Sequence, residues 1–168
     1  MNISEQIDKI NDILDDYETV NSIVSPKVSH NLEHIENFIN MSYKQLQALG
    51  AEECAEGAYL LSQYAFFVQR EQNKQIAINN WAQSKLNECL SGEIMNMDSF
   101  IKYEVKIAEI VKTNNVAAKL MKIKVHATSV VDRLNFLSSN IKHMSDMLLN
   151  LHRAKKYKNA GEYNDQRQ

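Results

Sequence analysis

The sequence predicts an all-α protein built from long helices. Only four glycines and one proline interrupt 168 residues, and strong helix formers fill the intervals between them. The apolar residues recur at the three- and four-residue spacing of a helix. We therefore expect long helices in a hairpin or coiled-coil arrangement, with two short helices before them.

The two short helices are predicted at the N-terminus. The first begins near Ser4 and should end before Ser25-Pro26, because the residue before proline avoids helical geometry. Its apolar stripe consists of Ile7, Ile10, Ile13, Leu14 and Tyr17. Ser29 is expected to cap the second helix, and Gly50 stands where a helix-ending glycine belongs.

Two longer helices are predicted to follow. The third should run from Glu52 to Leu90 and stop at Ser91-Gly92. Asp98 is expected to cap a fourth helix that reaches Lys158. Three poor helix formers meet at Thr113-Asn114-Asn115, which predicts a weak point within that helix.

Charge divides the chain into an acidic and a basic part. Residues 1–60 carry 11 acidic against 3 basic side chains, a net charge of −8, whereas residues 101–158 carry 12 basic against 4 acidic, a net charge of +8. We expect an acidic helical segment over 1–50, a helical hairpin with a basic second arm over 51–158, and a disordered tail over 159–168. A polyanion is the expected partner of the basic arm, although the two ends could instead neutralise each other at the surface.

Apolar residues in the fourth helix follow an unbroken heptad pattern. Nine of them are assigned to oligomerisation, namely Val116, Leu120, Ile123, Val130, Leu134, Leu137, Ile141, Met144 and Leu148, while Ala127 and Leu151 complete the pattern. Such a seam packs against another helix of the chain or against a second subunit. Lys119, His126 and Arg133 lie beside it, so they select an acidic partner or phosphates, or they only solvate the outside of a coiled coil.

Three segments in register resemble a known family. Met97-Asp98-Ser99-Phe100-Ile101-Lys102-Tyr103-Glu104 is similar to the M-D-x-aromatic-x-K-x-E entry to the second long helix of UvsY-type recombination mediators of tailed bacteriophages. Tyr64 near the start of a long helix that ends in Leu90-Ser91-Gly92 resembles the preceding part of that family, and Ile141-Lys142-His143-Met144-Ser145-Asp146-Met147 resembles a later part. The resemblance covers Ala58 to Met147 and leaves the two N-terminal helices unexplained.

The resemblance implies a protein that is not an enzyme and forms a ring-like homo-oligomer. Such a protein binds single-stranded DNA and helps a RecA-like recombinase to displace the single-strand-binding protein. The family's Lys-Ala-Arg DNA contact corresponds here to Ser84-Lys85-Leu86, so only Lys85 carries over. The other expected DNA-binding residues are Lys102, Lys106, Lys119, Lys122, Lys124 and Arg133. Trp81 and Tyr103 could stack on bases, but we expect Trp81 in the core.

Other functions have weaker support. A helical adaptor that binds an acidic protein through the seam is the alternative to DNA binding. His30 and His34 lie four residues apart but lack an evident third metal ligand, and no glycine-rich phosphate loop is present, so we expect no metal, cofactor or catalytic residue. The absence of a signal sequence and of a long apolar run predicts a cytoplasmic protein that does not enter membranes, in the host cytoplasm if a phage encodes it.

Overall fold

The described part of the chain is entirely helical apart from short connections. The computed structural model describes residues 2–21 and 32–165, with side chains described up to Lys158. Within these ranges there are helices and no strands, which confirms the all-α prediction. The helices are α1 (Ile3–Val20), α2 (Leu32–Asn40), α3 (Tyr43–Ala48), α4 (Ala51–Ile94), α5 (Tyr103–Thr113), α6 (Asn115–Asn135) and α7 (Leu137–Asp165).

The helices form two compact units, and α4 contributes to both. The α6 unit comprises α1, residues 71–94 of α4, α5 and α6 up to Arg133. The α7 unit comprises α2, α3, residues 51–70 of α4, and the chain from Leu134 through α7. The acidic N-terminal segment and the basic arm each supply helices to both units.

Several helix boundaries differ from the expected ones. Helix α4 continues through Ser91-Gly92 to Ile94, and the Ser91 hydroxyl donates to the Glu88 carbonyl within the helix at 3.0 Å. Asp98 does not cap a long helix, because its Oδ1 accepts the N–H of Phe100 at 3.0 Å in a turn before α5. The predicted stop at Ser91-Gly92 and the predicted cap at Asp98 are therefore wrong.

The second predicted helix is two helices. Ser42 begins α3 with a reciprocal capping box: its hydroxyl accepts the Gln45 N–H at 3.4 Å, and Gln45 Oε1 accepts the Ser42 N–H at 2.8 Å. This motif starts a new helix inside the interval that the apolar pattern assigned to one. Ser25-Pro26 and Ser29 lie outside the described residues.

The fourth predicted helix is divided into three. Asn114 separates α5 from α6, which confirms the predicted weak point, and its Oδ1 accepts the N–H groups of Val116 and Ala117 at 2.9 and 3.1 Å. A second break at Phe136 separates α6 from α7 and was not predicted. Helix α7 ends at Asp165, beyond the expected end at Lys158.

Helix α7 is held to α4 by side chains that donate to backbone carbonyls at a regular interval. Ser145 Oγ donates to the Ala58 carbonyl at 2.6 Å, and Ser138 Oγ donates to the Ala65 carbonyl at 3.1 Å. His152 Nδ1 lies 2.7 Å from the Ala51 carbonyl, which can only accept, so Nδ1 carries the proton. Donors and acceptors each advance by seven residues in opposite directions. The two helix segments are therefore antiparallel, in a register marked by these three bonds.

Small residues on α4 let the α7 unit pack closely. The core of this unit includes Cys54, Ala58 and Ala65 of α4 together with Ile141 and Leu148 of α7. A Cβ atom added at Gly57 would lie 2.6 Å from Cε1 of Phe38 and 2.9 Å from Cδ1 of Leu148. Both of those side chains are buried in the same core. Gly57 is therefore required by packing and not by backbone conformation.

Replacing the two glycines of α4 separately tests this packing. We expect Gly57→Ala to lower the free energy of unfolding by about 1 kcal/mol or more, because overpacking outweighs the gain in helix propensity. Gly92→Ala is the matched control, since no atom lies within 4 Å of its added Cβ. That substitution should raise stability by about 0.5–1 kcal/mol. Urea unfolding followed by circular dichroism measures both, and equal effects would contradict the packing constraint.

The α6 unit has its own apolar core. Leu86 and Leu90 of α4 pack with Ile110 of α5 and with Ala117 and Leu120 of α6. Polar bonds accompany this contact. Gln72 Nε2 donates to the Val131 carbonyl at 3.5 Å, Thr128 Oγ1 donates to Asn79 Oδ1 at 3.3 Å, and Asn114 Nδ2 donates to Glu93 Oε1 at 2.7 Å. The bonded residues on α4 rise in number from 72 through 79 to 93, while their partners fall from 131 through 128 to 114. Helices α4 and α6 are therefore also antiparallel.

The two cysteines differ in accessibility. Cys54 is fully buried, and burial raises the pKa of its thiol against the opposing influence of Lys155, with Glu53 raising it further. Cys89 is only half-buried beside the core of the α6 unit. A buried thiol that remains protonated reacts slowly.

Thiol labelling should therefore report opening of the α7 unit. We expect an aromatic disulfide reagent to modify Cys89 first and Cys54 only as the unit opens. In a Cys89→Ser variant only Cys54 remains, and its reaction should accelerate with urea. A Cys54→Ser variant should show only the fast reaction of Cys89. Equal rates for the two thiols in native buffer would contradict the burial of Cys54.

Candidate nucleic-acid interface

Helix α6 buries one side and presents a basic row on the other. Ala117, Leu120 and Ala127 are buried, and they lie on the side that faces the core. The opposite side carries exposed residues at spacings of three, four and seven, which place them in one line. We call four of these residues the basic stripe: Lys119, Lys122, His126 and Arg133. At 1.5 Å per residue the stripe extends for about 21 Å.

The charge of α6 is predominantly positive. The helix contains four lysine or arginine residues and one acidic residue, Asp132, which gives a net charge of +3. No carboxylate lies within the line of the stripe itself. Such a row of cations on an exposed helix face suits a polyanion such as a nucleic-acid backbone.

Lys124 does not belong to the basic stripe. It follows Lys119 by five residues and Lys122 by two, so it points about 140–160° away from each around the helix. The structure places it half-buried at a shallow groove of about 620 Å³. That groove is lined by Lys124, Val125, Thr128, Ser129, Asp132 and Arg133. Lys124 therefore lies apart from Lys119 and Lys122, although Arg133 of the basic stripe also lines this groove.

The remaining predicted DNA-binding residues differ in how available they are. Lys106 is buried and its Nζ donates to the Met97 carbonyl at 3.5 Å, so we remove it from the candidate interface. Lys85 is paired with both carboxylate oxygens of Glu88, at 2.8 and 3.0 Å, which offsets its charge. Lys102 is exposed immediately before α5. The exposed candidates are thus Lys102 and the basic stripe.

The predicted oligomerisation seam is largely covered by the chain itself. Leu120 lies in the core of the α6 unit, whereas Ile141 and Leu148 lie in the core of the α7 unit. Leu134 and Met144 pack against the latter core, and Leu137 is 38% exposed. The seam residues left nearest the surface of α6 are Val116, which is 42% exposed, and the half-buried Ile123 and Val130. We call these three the outer row, and they lie beside the basic stripe.

Exposed aromatic residues lie at the connection between α4 and α5. Phe100 is 94% exposed and Tyr103 is 56% exposed. Trp81, in contrast, packs against the core of the α6 unit, as expected. Phe100 was not among the candidate residues from the sequence, although the Asp98-Ser99 pair before it is typical of a turn. The connection and the basic stripe belong to the same unit.

Other chemistry has little support in the described ranges. No group of three His, Cys, Asp or Glu side chains within 2–21 and 32–158 could hold a metal ion. His34 is exposed, and His30 lies outside the described residues. Among the helices that the structure describes, none is both long and apolar enough to cross a bilayer. A scan of protein-family models finds no match for the chain, and searches of curated proteins and solved structures find none either.

Proposed function

We propose that the protein is a single-stranded DNA-binding recombination mediator. In this role it helps to load a RecA-like recombinase onto DNA covered by single-strand-binding protein, without catalysing a reaction. The observation that carries the DNA-binding part is the exposed basic stripe on α6, opposite the buried face of the same helix. The resemblance of residues 58–147 to UvsY-type mediators supports the more specific role.

The stripe supports binding to a nucleic-acid backbone through electrostatics. Lysine and arginine side chains that approach phosphates release condensed counterions, which favours binding at low salt without selecting a base sequence. The four residues of the basic stripe form neither a glycine-rich phosphate loop nor a set of metal ligands. Binding through this surface would therefore be independent of nucleotide hydrolysis and of base identity.

Exposed aromatic side chains support a preference for single strands. Unpaired bases can stack on an aromatic ring, whereas paired bases are already stacked within the duplex. Phe100 and Tyr103 are exposed in the unit that carries the stripe. Asp98 and Glu104 lie in the same stretch, so the attraction there would come from the rings and from Lys102.

Removing the centre of the basic stripe tests the proposed DNA contact. We expect Lys119→Ala with Lys122→Ala to weaken binding to an oligothymidine by roughly 10- to 30-fold at 0.1 M salt, because two phosphate contacts are lost. The salt dependence of the affinity should also become shallower. Fluorescence anisotropy across a salt series measures both quantities.

The matched control removes two exposed lysines of the α7 unit, Lys44→Ala with Lys156→Ala. It changes the net charge equally and should leave the affinity within about twofold. A wild-type protein that binds neither single strands nor duplex at low salt would overturn the proposed function. In that case a helical adaptor for an acidic protein would be the better explanation of the stripe.

A second variant tests the stacking contribution. Phe100→Ala should reduce the affinity for an oligothymidine by about five- to 100-fold, the range expected for loss of one stacked base, and should leave duplex binding unchanged. Phe136→Ala is the control, since Phe136 is 70% exposed but lies at the break between α6 and α7. An equal loss for single strands and duplex would show that Phe100 does not provide the selectivity.

A further inference from the structure

Helix α1 presents an apolar face that the described residues of its own unit leave exposed. None of its residues is buried, and its inner side is held partly by an ion pair between Asp15 Oδ1 and Lys74 Nζ at 3.4 Å. On the outside, Ile13, Tyr17 and Val20 are 66%, 61% and 82% exposed. Their spacing of four and three places them in one row along the helix. Exposed rows of large apolar side chains mark interaction surfaces.

An acidic row lies beside this apolar row. Glu5, Asp8, Asp12 and Asp16 are exposed, and their spacings place them in a line on the outer side of α1. The row extends for about 16 Å at 1.5 Å per residue. The helix as a whole carries six acidic residues and one basic residue, a net charge of −5. Its outer surface therefore fits a partner that places cations beside apolar side chains.

Helix α6 offers that combination. Its basic stripe is about 21 Å long, and the outer row of Val116, Ile123 and Val130 lies beside it. The stripe is exposed, so α1 of the same copy does not cover it. The charges of α1 and α6 are opposite, −5 and +3, and each charged row has an apolar neighbour. A second copy of the chain thus has a surface that is complementary in both charge and polarity.

The order of the rows specifies the direction of docking. Around α1 the apolar row follows the acidic row by about 100°, and around α6 the outer row follows the basic stripe by about 70° in the same rotational direction. If the two helices faced each other in parallel, this shared order would place the acidic row against the outer row. The acidic row faces the basic stripe only when the helices are antiparallel. Antiparallel docking puts carboxylates against cations and apolar side chains against apolar side chains.

We propose that α1 of one copy docks antiparallel on α6 of a second copy, through its acidic and apolar rows. The two surfaces are different, so the contact is heterologous, and each copy can use both surfaces at once. The contact also occupies the basic stripe, so a bound oligonucleotide would compete with it. The docking itself does not depend on DNA binding.

Two charges oppose the docking. Lys9 is exposed between the acidic and apolar rows of α1, and Asp132 is exposed near the end of the basic stripe. Coulomb repulsion from Lys9 should weaken the contact. Lys9→Glu is therefore expected to tighten self-association by about three- to tenfold in sedimentation velocity at low salt. Weaker association of this variant would contradict the proposed orientation of the rows.

The decisive experiment uses two charge-reversed variants of the full chain. The acidic-row variant carries Asp8→Lys, Asp12→Lys and Asp16→Lys, and the stripe variant carries Lys119→Glu, Lys122→Glu and Arg133→Glu. Each variant alone has like charges on both surfaces, so both should self-associate at least tenfold more weakly than the wild type. Mixed in equal amounts, they again pair opposite charges and should recover association in sedimentation velocity.

The controls separate charge effects from misfolding and from DNA binding. Reversing Glu36, Glu52 and Glu56 to Lys changes the same number of exposed charges in the α7 unit and should leave association unchanged. Circular dichroism confirms that each variant folds. A wild type that is monomeric up to about 0.1 mM, or a mixture that stays monomeric, would overturn the docking. The acidic-row variant should still bind an oligothymidine, and if the wild type does not bind one, only the proposed function fails.

Discussion

The rotation of α6 about its axis determines what this protein can present to a partner. Ala117 and Leu120 pack against α4 and α5, and Ala127 is buried on the same side of α6. This burial fixes the rotation, because turning the helix would expose the apolar side and bring charged residues into the core. Once it is fixed, Lys119 and Lys122 must face outward, and Lys124 must lie near the inner edge. The surface chemistry of the α6 unit is therefore a consequence of how three small or apolar residues pack.

The heptad pattern identified half of the packing correctly. Its a positions include Leu120, Ala127, Ile141 and Leu148, and all four are buried. Its d positions are less buried: Met144 only packs against a core, and Val116 and Leu137 are exposed. Two residues that directly follow d positions, Ala117 and Ser145, are buried instead. Alanine contributes little to an apolar pattern, and serine counts as polar. Serine can nevertheless face a core when its hydroxyl donates a hydrogen bond to a carbonyl of the neighbouring helix. That carbonyl belongs to α4, so the sequence of α7 alone does not reveal the contact.

Local side-chain hydrogen bonds decide some helix ends, and packing decides others. The sequence indicated the break at Asn114 but not the capping box at Ser42. Asn114 ends one helix and caps the next through its side-chain oxygen Oδ1, and its position among poor helix formers indicated this break. Ser91-Gly92 carries an equally plain local signal to stop, but α4 continues, and Leu90 and Ile94 pack with the core of the α6 unit. Of the candidate interface, the charge pattern of the sequence indicates the basic character of α6. Only the structure separates the outward Lys119 from the buried Lys106.

The ladder of bonds between α7 and α4 repeats every seven residues, and such repetition creates an ambiguity. A slide of α7 by one heptad would again align Ser138 and Ser145 with heptad-spaced carbonyls on α4. What breaks the equivalence is Gly57, because only one position on this stretch of α4 is empty enough to receive Leu148 and the ring of Phe38. A residue without a side chain thus distinguishes the native alignment from its nearest competitor, and the hydrogen bonds alone would leave the two nearly degenerate.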